Sequence, residues 1–584
     1  MVPFKSVSPE KRRLDARLSW ALGGAVFLLY LLTLSPGLFP GDSAVLVAQS
    51  LGVEDRGLPV RPLFAWATDL WASLPVFSFA ARMNLFSVVC ATAAVVLLYR
   101  LVSFFVFEMI YEEQALEQAQ RFSWIAGVVA AVAAATGVPL WQAATRLHFE
   151  SFDLLLLLGC AALLMGYAKT KRAALPYVFA FVYGACVPES PIFITFAPLF
   201  ILAAVLTLWK SERLHVARIG WMGVFAACGM ACVYWLAASA YLQSAAGQAE
   251  GYVRVYDVVV EMWKRQYQLV RGLLPAQWVW MLLLGAAPWL VAMLTAPRTL
   301  NNERGWSFSF LHLTMTVAAV CALVNVPFSP WGIYRTRAGL PVLSGVMAGV
   351  LAAYLCVVWL LLWKVKPSKR DTGVSPLALT AGRWLGRLCL WPLLAVVAGA
   401  AVVNGFEAHG RRGAFADRFA DKILDRLGTR RWMVTDGSFD AHLLVRARAR
   451  RQPLFLIGLQ KDTDKPYQEK LKRSVEQEGI FSAADLVRIR NTIDLGVLPF
   501  IQDWFATDPD IGDKVAVLGV PDLWYGAGLN PVSEYLFFGG RRDIKAVRPA
   551  ELLPGYLAFW DEADRLLPRV AAPEEKRDTV ERYR

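Results

Sequence analysis

Residues 18–43 read LSWALGGAVFLLYLLTLSPGLFPGDS, an uninterrupted apolar run followed within a few residues by a lone acid, Asp42. A run of this kind approaches the length of about 20 residues that crosses the hydrocarbon layer of a membrane. Asp42 is therefore expected at the membrane surface, where a carboxylate is costly unless it has a partner or a chemical role. This pairing of a span with an isolated acid predicts a membrane protein with a functional site at one membrane face.

The composition of the whole chain agrees with a protein that crosses the membrane many times. Of its 584 residues, 57% are hydrophobic, and the mean hydropathy is +0.43, both far above the values of soluble proteins. About eleven apolar segments are long enough to be predicted as spans. They cover residues 18–35, 83–107, 122–141, 151–168, 174–188, 191–209, 218–242, 276–296, 306–327, 338–363 and 382–403.

The charge pattern orients these spans. The net charge is +13, but the basic residues of the first 400 or so positions cluster in alternate short loops, which indicates control of topology rather than nucleic-acid binding. The positive-inside rule places those loops and the N-terminus in the cytoplasm and the region after Asn404 outside. The C-terminus carries no eukaryotic retention signal, which favours a bacterial inner membrane with a periplasmic C-terminal region.

Isolated acids lie on the predicted outer loops. Asp42 has the position for a general base, and the alternative is that it caps the following helix. Glu150 is a second acid for the site, with an ion pair to Arg146 or His148 as the alternative. Glu189 lies in a tight outer turn and is a secondary candidate for which a structural role is favoured.

Cationic and aromatic side chains lie on the same predicted face. Arg335 and Arg337 are predicted phosphate ligands, because the guanidinium group offers a planar fork of donors; the alternative is anchoring to lipid phosphates. Tyr334 is predicted to stack on a sugar or line the path of a lipid, and His148 to assist substrate binding. No phosphate-binding glycine loop or Walker lysine is present, so ATP-driven transport has no support.

Two outer loops are too apolar to be simple linkers. Residues 44–52 and 62–74 are predicted to form helices in the membrane interface. Residues 252–273 are predicted to form an amphipathic helix, either facing anionic lipid headgroups or capping the bundle from the solvent.

Residues 404–584 are predicted to form a soluble extracytoplasmic α/β domain behind the transmembrane domain of residues 1–403. Short β-like runs at 432–434, 454–457 and 515–518 alternate with helical patterns, which favours a parallel sheet. Asp436 follows the first predicted strand, where ligands bind in such sheets. The alternative, which the Asp-Gly-Ser sequence favours, is an ordinary turn.

Several of these motifs resemble a known family. The sequence is similar to the protein O-mannosyltransferase-like membrane proteins of the GT-C glycosyltransferase superfamily, most strongly between about residues 20 and 210. The matching motifs are Leu32-Thr33-Leu34-Ser35-Pro36-Gly37, Gly41-Asp42-Ser43, Ala48-Gln49-Ser50-Leu51-Gly52-Val53, Leu74-Pro75, Arg82-Met83-Asn84-Leu85-Phe86-Ser87, Trp141-Gln142, Glu150-Ser151-Phe152-Asp153-Leu154, Tyr183-Gly184, Pro198 and Thr435-Asp436-Gly437-Ser438-Phe439-Asp440.

This resemblance implies a GT-C-like fold with Asp42 as catalytic base and Glu150 as a second acid of the site. The chain departs from the family where Ala44-Val45 replaces a Gly-Glu pair, where residues 54–59 replace a His-Pro-Pro-Gly-Tyr-Pro stretch, and where Glu189 replaces a histidine. Glu54 and Asp55 are the secondary candidates for the missing carboxylate.

The expected activity is transfer of a sugar from a polyprenyl-phosphate carrier to a hydroxyl of a protein or glycan at the outer face. The expected partners are that sugar-lipid, the acceptor and membrane lipids, with no nucleic acid. No cofactor is required by the residues; a divalent ion, Mg²⁺ or Mn²⁺, beside Asp42 is left open. The alternative is a catalytically degenerate membrane scaffold that binds protein subunits through its C-terminal region.

Overall fold

A computed structural model describes residues 9–110, 116–272, 278–280, 283–284, 305–330, 341–364, 376–543 and 549–566. Sixteen helices precede the C-terminal region in these ranges. They are α1 Pro9–Leu32, α2 Asp42–Ser50, α3 Pro62–Ala72, α4 Phe79–Ile110, α5 Leu116–Ala135, α6 Val138–Thr145, α7 Phe149–Thr170, α8 Leu175–Cys186, α9 Pro191–Thr195, α10 Ala197–Lys210, α11 Val216–Gln243, α12 Ala245–Glu250, α13 Val255–Arg271, α14 Gly305–Leu323, α15 Pro341–Lys364 and α16 Pro376–Ala408.

Within these ranges, six helices are long and apolar enough to cross a membrane, or up to seven if the bent pair α5 and α6 is one span. The pair bends by 64°, where Gly137 and a proline at the start of α6 interrupt the helical hydrogen bonds. Shorter apolar helices include α8 and α10. The predicted span at 276–296 lies largely outside the described residues. The helices identify an integral membrane protein, while the predicted number of about eleven spans stays a prediction.

The bundle has an apolar core and an apolar exterior. One large buried cluster joins helices that are far apart in the sequence. It includes Tyr30 of α1, Ala91 of α4, and Ala352 and Trp359 of α15. By contrast, large apolar side chains of α11 are exposed: Trp235 by 62% and Leu236 by 50%. An apolar outer surface of this kind is stable in lipid and not in water.

The helices α8 and α11 approach each other through glycines. An added Cβ at Gly184 would lie 1.9 Å from the Ala226 carbonyl oxygen, and one at Gly229 would lie 2.1 Å from the Phe181 carbonyl oxygen. Small residues let membrane helices pack backbone to backbone where the hydrophobic effect gives no driving force between them.

Replacing Gly184 by leucine is expected to force α8 and α11 apart and to cost roughly 1–3 kcal/mol or more of stability. Gly223→Leu is the matched control, because Gly223 lies on α11, the partner helix of α8, but has no atom within 4 Å of an added Cβ. The apparent Tm of the detergent-purified variants checks this, and equal values would contradict it.

The helix α13 has the amphipathic character predicted for residues 252–273. Val258 and Met262 are buried against the last turns of α11, while Tyr256 and Tyr267 are exposed, at 72% and 63%. At 28 residues, α11 is about 42 Å long, which exceeds a hydrocarbon layer of about 30 Å. Its end can thus reach headgroup depth, and the lipid-facing role of α13 stays a prediction.

The described part of the C-terminal region, residues 409–543 and 549–566, contains eight further helices and a five-stranded sheet. The strands are β1 Trp432–Thr435, β2 Phe455–Gly458, β3 Val515–Val517, β4 Asn530–Glu534 and β5 Phe537–Arg541. The helices are α17 Ala414–Arg426, α18 Asp440–Arg450, α19 Lys465–Glu478, α20 Ala483–Leu495, α21 Val497–Thr507, α22 Ile511–Lys514, α23 Leu523–Gly526 and α24 Pro549–Leu566.

The strand order is β2-β1-β3-β5-β4. The three predicted strands are present and parallel, with Met433 paired to Leu456 on one side and to Ala516 on the other. The hairpin of β4 and β5 is antiparallel and extends the sheet beyond the prediction. Strand β1 lies between β2 and β3. The chain therefore leaves β1 toward one side of the sheet and later returns to its other side, and a crevice forms at the carboxyl end of β1.

Candidate active site

One amide side chain of the membrane bundle fixes the turn before Asp42. Asn84 donates to the carbonyl oxygens of Ser35 and Gly37, both at 2.9 Å, and accepts the amide of Leu147 at 2.8 Å. Asn84 is fully buried, so these bonds replace its lost hydration. One side chain of α4 thereby joins the first outer loop to the segment that leads into α7.

Asp42 is the first residue of α2 and is exposed. The preceding Gly41 has φ of 87°, a conformation that favours glycine. The N-cap of α2 is Gly41, and no side-chain capping bond is present there, so the alternative in which Asp42 caps the helix is wrong. As a first-turn carboxylate, Asp42 is still stabilised by the helix dipole, and its exposed oxygens are available to a substrate.

Glu150 lies in the first turn of α7, whose preceding residue His148 caps the helix by accepting the Glu150 amide at Nδ1, 3.3 Å away. The charges of Asp42, Arg61, Arg146 and Asp153 all act on Glu150. Ala44 and Val47 of α2 share a buried cluster with Leu147, just before His148, so Asp42 lies on a segment packed next to the one that carries His148 and Glu150.

Burial and the neighbouring charges of Arg146 and Arg61 lower the pKa of His148 to about 3. The imidazole is thus neutral at ordinary pH and offers no charge to a phosphate. A substrate-binding role for His148 through an uncharged contact stays a prediction.

Arg61 is the cation that sequence reasoning missed. Its Nη1 lies 2.6 Å from Oδ2 of Asp153, a carboxylate only 1% exposed. The guanidinium also lies 3.5 Å above the ring of Phe149, which in turn stacks on His148 at 4.4 Å.

Arg146 is a second cation of this end of the bundle. Its guanidinium donates to the side-chain oxygen of Gln142 and lies 4.3 Å above the ring of Phe39.

Glu189 holds the beginning of α3. It is fully buried, and its carboxylate accepts the amides of Leu63 at 2.7 Å and Phe64 at 3.2 Å. Burial raises the pKa of Glu189, and the Asp153 charge acts in the same direction. These contacts favour the structural role over a catalytic one, because the carboxylate satisfies orphan amides of a helix N-terminus.

Glu150 also faces a small cavity within the bundle. The other lining residues are apolar: Leu154, Leu157, Ile192, Val342 and Leu343. These residues come from α7, α9 and α15. The cavity has room for little more than one water molecule, so it marks a junction between the Glu150 carboxyl group and the apolar interior.

Glu54 and Asp55 face the C-terminal region. Glu54 lies 3.1 Å from Nζ of Lys461, and Asp55 lies 3.0 Å from Nζ of Lys470. The Glu54 side chain is only 15% exposed, and its Oε2 has no hydrogen-bond partner among the described residues. Their role as substitutes for the missing family carboxylate stays a prediction.

Asp436 lies in the loop after β1, where its Oδ1 accepts the amide of Ser438 at 3.0 Å. That bond is typical of the turn alternative. Asp440, beyond this turn, has its pKa raised to about 6, chiefly by burial. A ligand-binding role for Asp436 stays a prediction.

The predicted phosphate ligands Arg335 and Arg337 and the predicted sugar contact Tyr334 lie outside the described residues. Across the ranges that the structure describes, no group of three or more His, Cys, Asp or Glu side chains could hold a metal ion.

No protein-family model matches this chain, and no curated protein matches its sequence. Among solved structures it is similar to the crystal structure of ArnT from Cupriavidus metallidurans in the apo state. The sequence identity is 13%, the similarity covers 91% of this chain and 100% of that chain, and the TM-score is 0.38. That similarity assigns no function to this chain.

Proposed function

We propose that the protein is a membrane glycosyltransferase of the GT-C type, which moves a sugar from a polyprenyl-phosphate carrier to a hydroxyl group at the outer face. The observation that carries the proposal is the packing of α2, which begins with Asp42, against the segment that leads to Glu150, with apolar side chains of α7, α9 and α15 next to Glu150. A donor with a charged head and a long apolar tail needs both surfaces next to each other.

In the proposed reaction, the carboxylate of Asp42 removes the proton from an acceptor hydroxyl. The resulting oxygen attacks the anomeric carbon of the sugar, and the bond between that carbon and the phosphate oxygen breaks. The electron pair leaves with the polyprenyl phosphate, whose negative charge is balanced by arginines. Arg335 and Arg337 are proposed as direct phosphate ligands, with Arg146 adding positive charge.

Glu150 is proposed as a supporting acid that orients the acceptor or the sugar. Its position at the beginning of α7, within range of the Asp42 charge, supports a shared site.

The proposal is tested with a photoactivatable polyprenyl phosphate added to the full-length protein in lipid nanodiscs. Crosslinks are expected at Leu154, Leu157, Ile192 or Leu343, the apolar residues next to Glu150. Excess unlabelled polyprenyl phosphate should block them, whereas the matching polyprenol without phosphate should not. Crosslinks spread over the lipid-facing surface of α11 and indifferent to the competitor would contradict the proposal. That result, together with stoichiometric partner subunits, would favour the scaffold alternative.

A further inference from the structure

The C-terminal region contacts the first outer loop just before Asp42. The Oδ2 of Asp417, on α17, accepts the amide of Leu38 at 3.0 Å. An added Cβ at Gly37 would lie 1.9 Å from the same Oδ2, so this carboxylate is seated directly against the backbone. Its Oδ1 lies 3.2 Å from Nδ1 of His442 on α18, whose side chain is 3% exposed. One carboxylate thus joins the loop to two helices of the C-terminal region.

The helix that begins with Asp42 also packs on the C-terminal region. Ala441 and Val445 of α18 lie in the same buried apolar cluster as Ala44, Val47 and Ala48 of α2. A helix of nine residues is too short to be stable alone in water. Its conformation therefore depends on this packing, and part of the packing surface is supplied by residues about 400 positions later in the chain.

A third set of contacts lies just after α2. Lys461, which follows β2, pairs with Glu54, and Lys470 pairs with Asp55. Lys470 also donates to the carbonyl oxygen of Val53 at 3.3 Å. The segment that carries Asp42 is therefore held by the C-terminal region before α2, along α2 and after α2.

We propose that the C-terminal region positions Asp42 for catalysis by fixing α2 at both ends, with Asp417 as the principal positioning residue; this rests on the proposed function of Asp42. Asn84 fixes the beginning of the same loop from the bundle. The C-terminal region is then part of the active machinery rather than a separate binding module. A displacement of about 1 Å at a reacting group can lower a rate by about 100-fold.

The first test measures hydrogen exchange in the full-length protein in nanodiscs. Asp417→Ala is expected to speed exchange of the Leu38 amide by about 10-fold or more, because that amide loses a hydrogen bond to a charged group. Asp417→Asn should exchange more slowly than Asp417→Ala, since its amide oxygen still accepts a bond. Asp421→Ala is the matched control, because Asp421 lies one turn further along α17 and pairs with Arg446 and Arg450 instead.

The second test measures sugar transfer by the same variants. Asp417→Ala should lower kcat by about 10- to 100-fold with little change in KM for the donor, and Asp417→Asn should recover part of the loss. The double variant Lys461→Gln, Lys470→Gln gives an independent test, because both lysines are part-exposed, at 36% and 42%, and their removal leaves the buried apolar clusters intact. It should also lower kcat and speed exchange over residues 46–55.

Unchanged exchange at Leu38 in Asp417→Ala would overturn the inference, as would faster exchange with wild-type kcat. Equal effects of Asp417→Ala and Asp421→Ala on both measurements would overturn it too, since they would reflect general loosening of α17. If the wild-type protein transfers no sugar, the proposed function fails. In that case the exchange data still decide whether the C-terminal region fixes the loop.

Discussion

Asp42→Asn is expected to lower sugar transfer by about 100- to 10,000-fold, the usual contribution of a general base. Asparagine has nearly the same shape but cannot take the proton from an acceptor hydroxyl. Because Asp42 is exposed at the first residue of α2, its replacement should cost only about 0.3–1 kcal/mol of stability through the helix dipole. The measurement is transfer of labelled sugar from a panel of polyprenyl-phosphate sugars in isolated membranes.

The matched control for this prediction is Asp69→Asn. Asp69 lies in the same outer loop and is 52% exposed, but it pairs with Arg56 and belongs to no part of the proposed site. Its variant should keep wild-type transfer. Full transfer by Asp42→Asn would remove Asp42 as the base.

Arg61→Ala is expected to have the largest effect on stability, about 3–5 kcal/mol, because it leaves the buried carboxylate of Asp153 without its cation. The remaining oxygen of Asp153, Oδ1, already has no hydrogen-bond partner among the described residues. The loss of Arg61 also removes the guanidinium group above Phe149. The measurement is the apparent Tm of the purified protein.

Arg56→Ala is the control for Arg61→Ala. Arg56 forms an ion pair with Asp69 in the same loop, but at 31% and 52% exposure this pair should be worth only about 0–1 kcal/mol. Asp153→Asn in the Arg61→Ala background should recover part of the lost stability, because a neutral amide no longer requires a cation. Equal Tm values for the two arginine variants would contradict the prediction.

The fold was predictable where one local signal decides it. The apolar run at 83–107 lies inside α4 and the run at 218–242 inside α11, because hydropathy depends on composition alone. The three predicted parallel strands are also confirmed, because each is a short run of apolar and β-branched residues that can be recognised locally. The β4–β5 hairpin was not predicted, since its apolar run at 535–538 is only four residues long and covers the turn and the start of β5 rather than one strand.

The candidate site was predictable only in part, because its charge pairs join distant positions. Asp42, Glu150 and His148 were found from their place next to spans. Arg61 and Asp153 are 92 positions apart, and no spacing rule connects them. One usable signal was present: Asp153 is a buried acid within a predicted span, which requires a cation on a neighbouring outer loop, and Arg61 is one of the few arginines there.

The contact between Asp417 and Leu38 has a consequence for biosynthesis. The two residues are separated by 379 positions, and ribosomes add about 5–20 residues per second. The loop therefore waits about 20 to 75 seconds after its own synthesis before its partner has been made. During that interval Asp42 lacks the contacts that seat its loop, and under the proposed function we expect the membrane half to transfer no sugar until the last third of the chain has been made and folded.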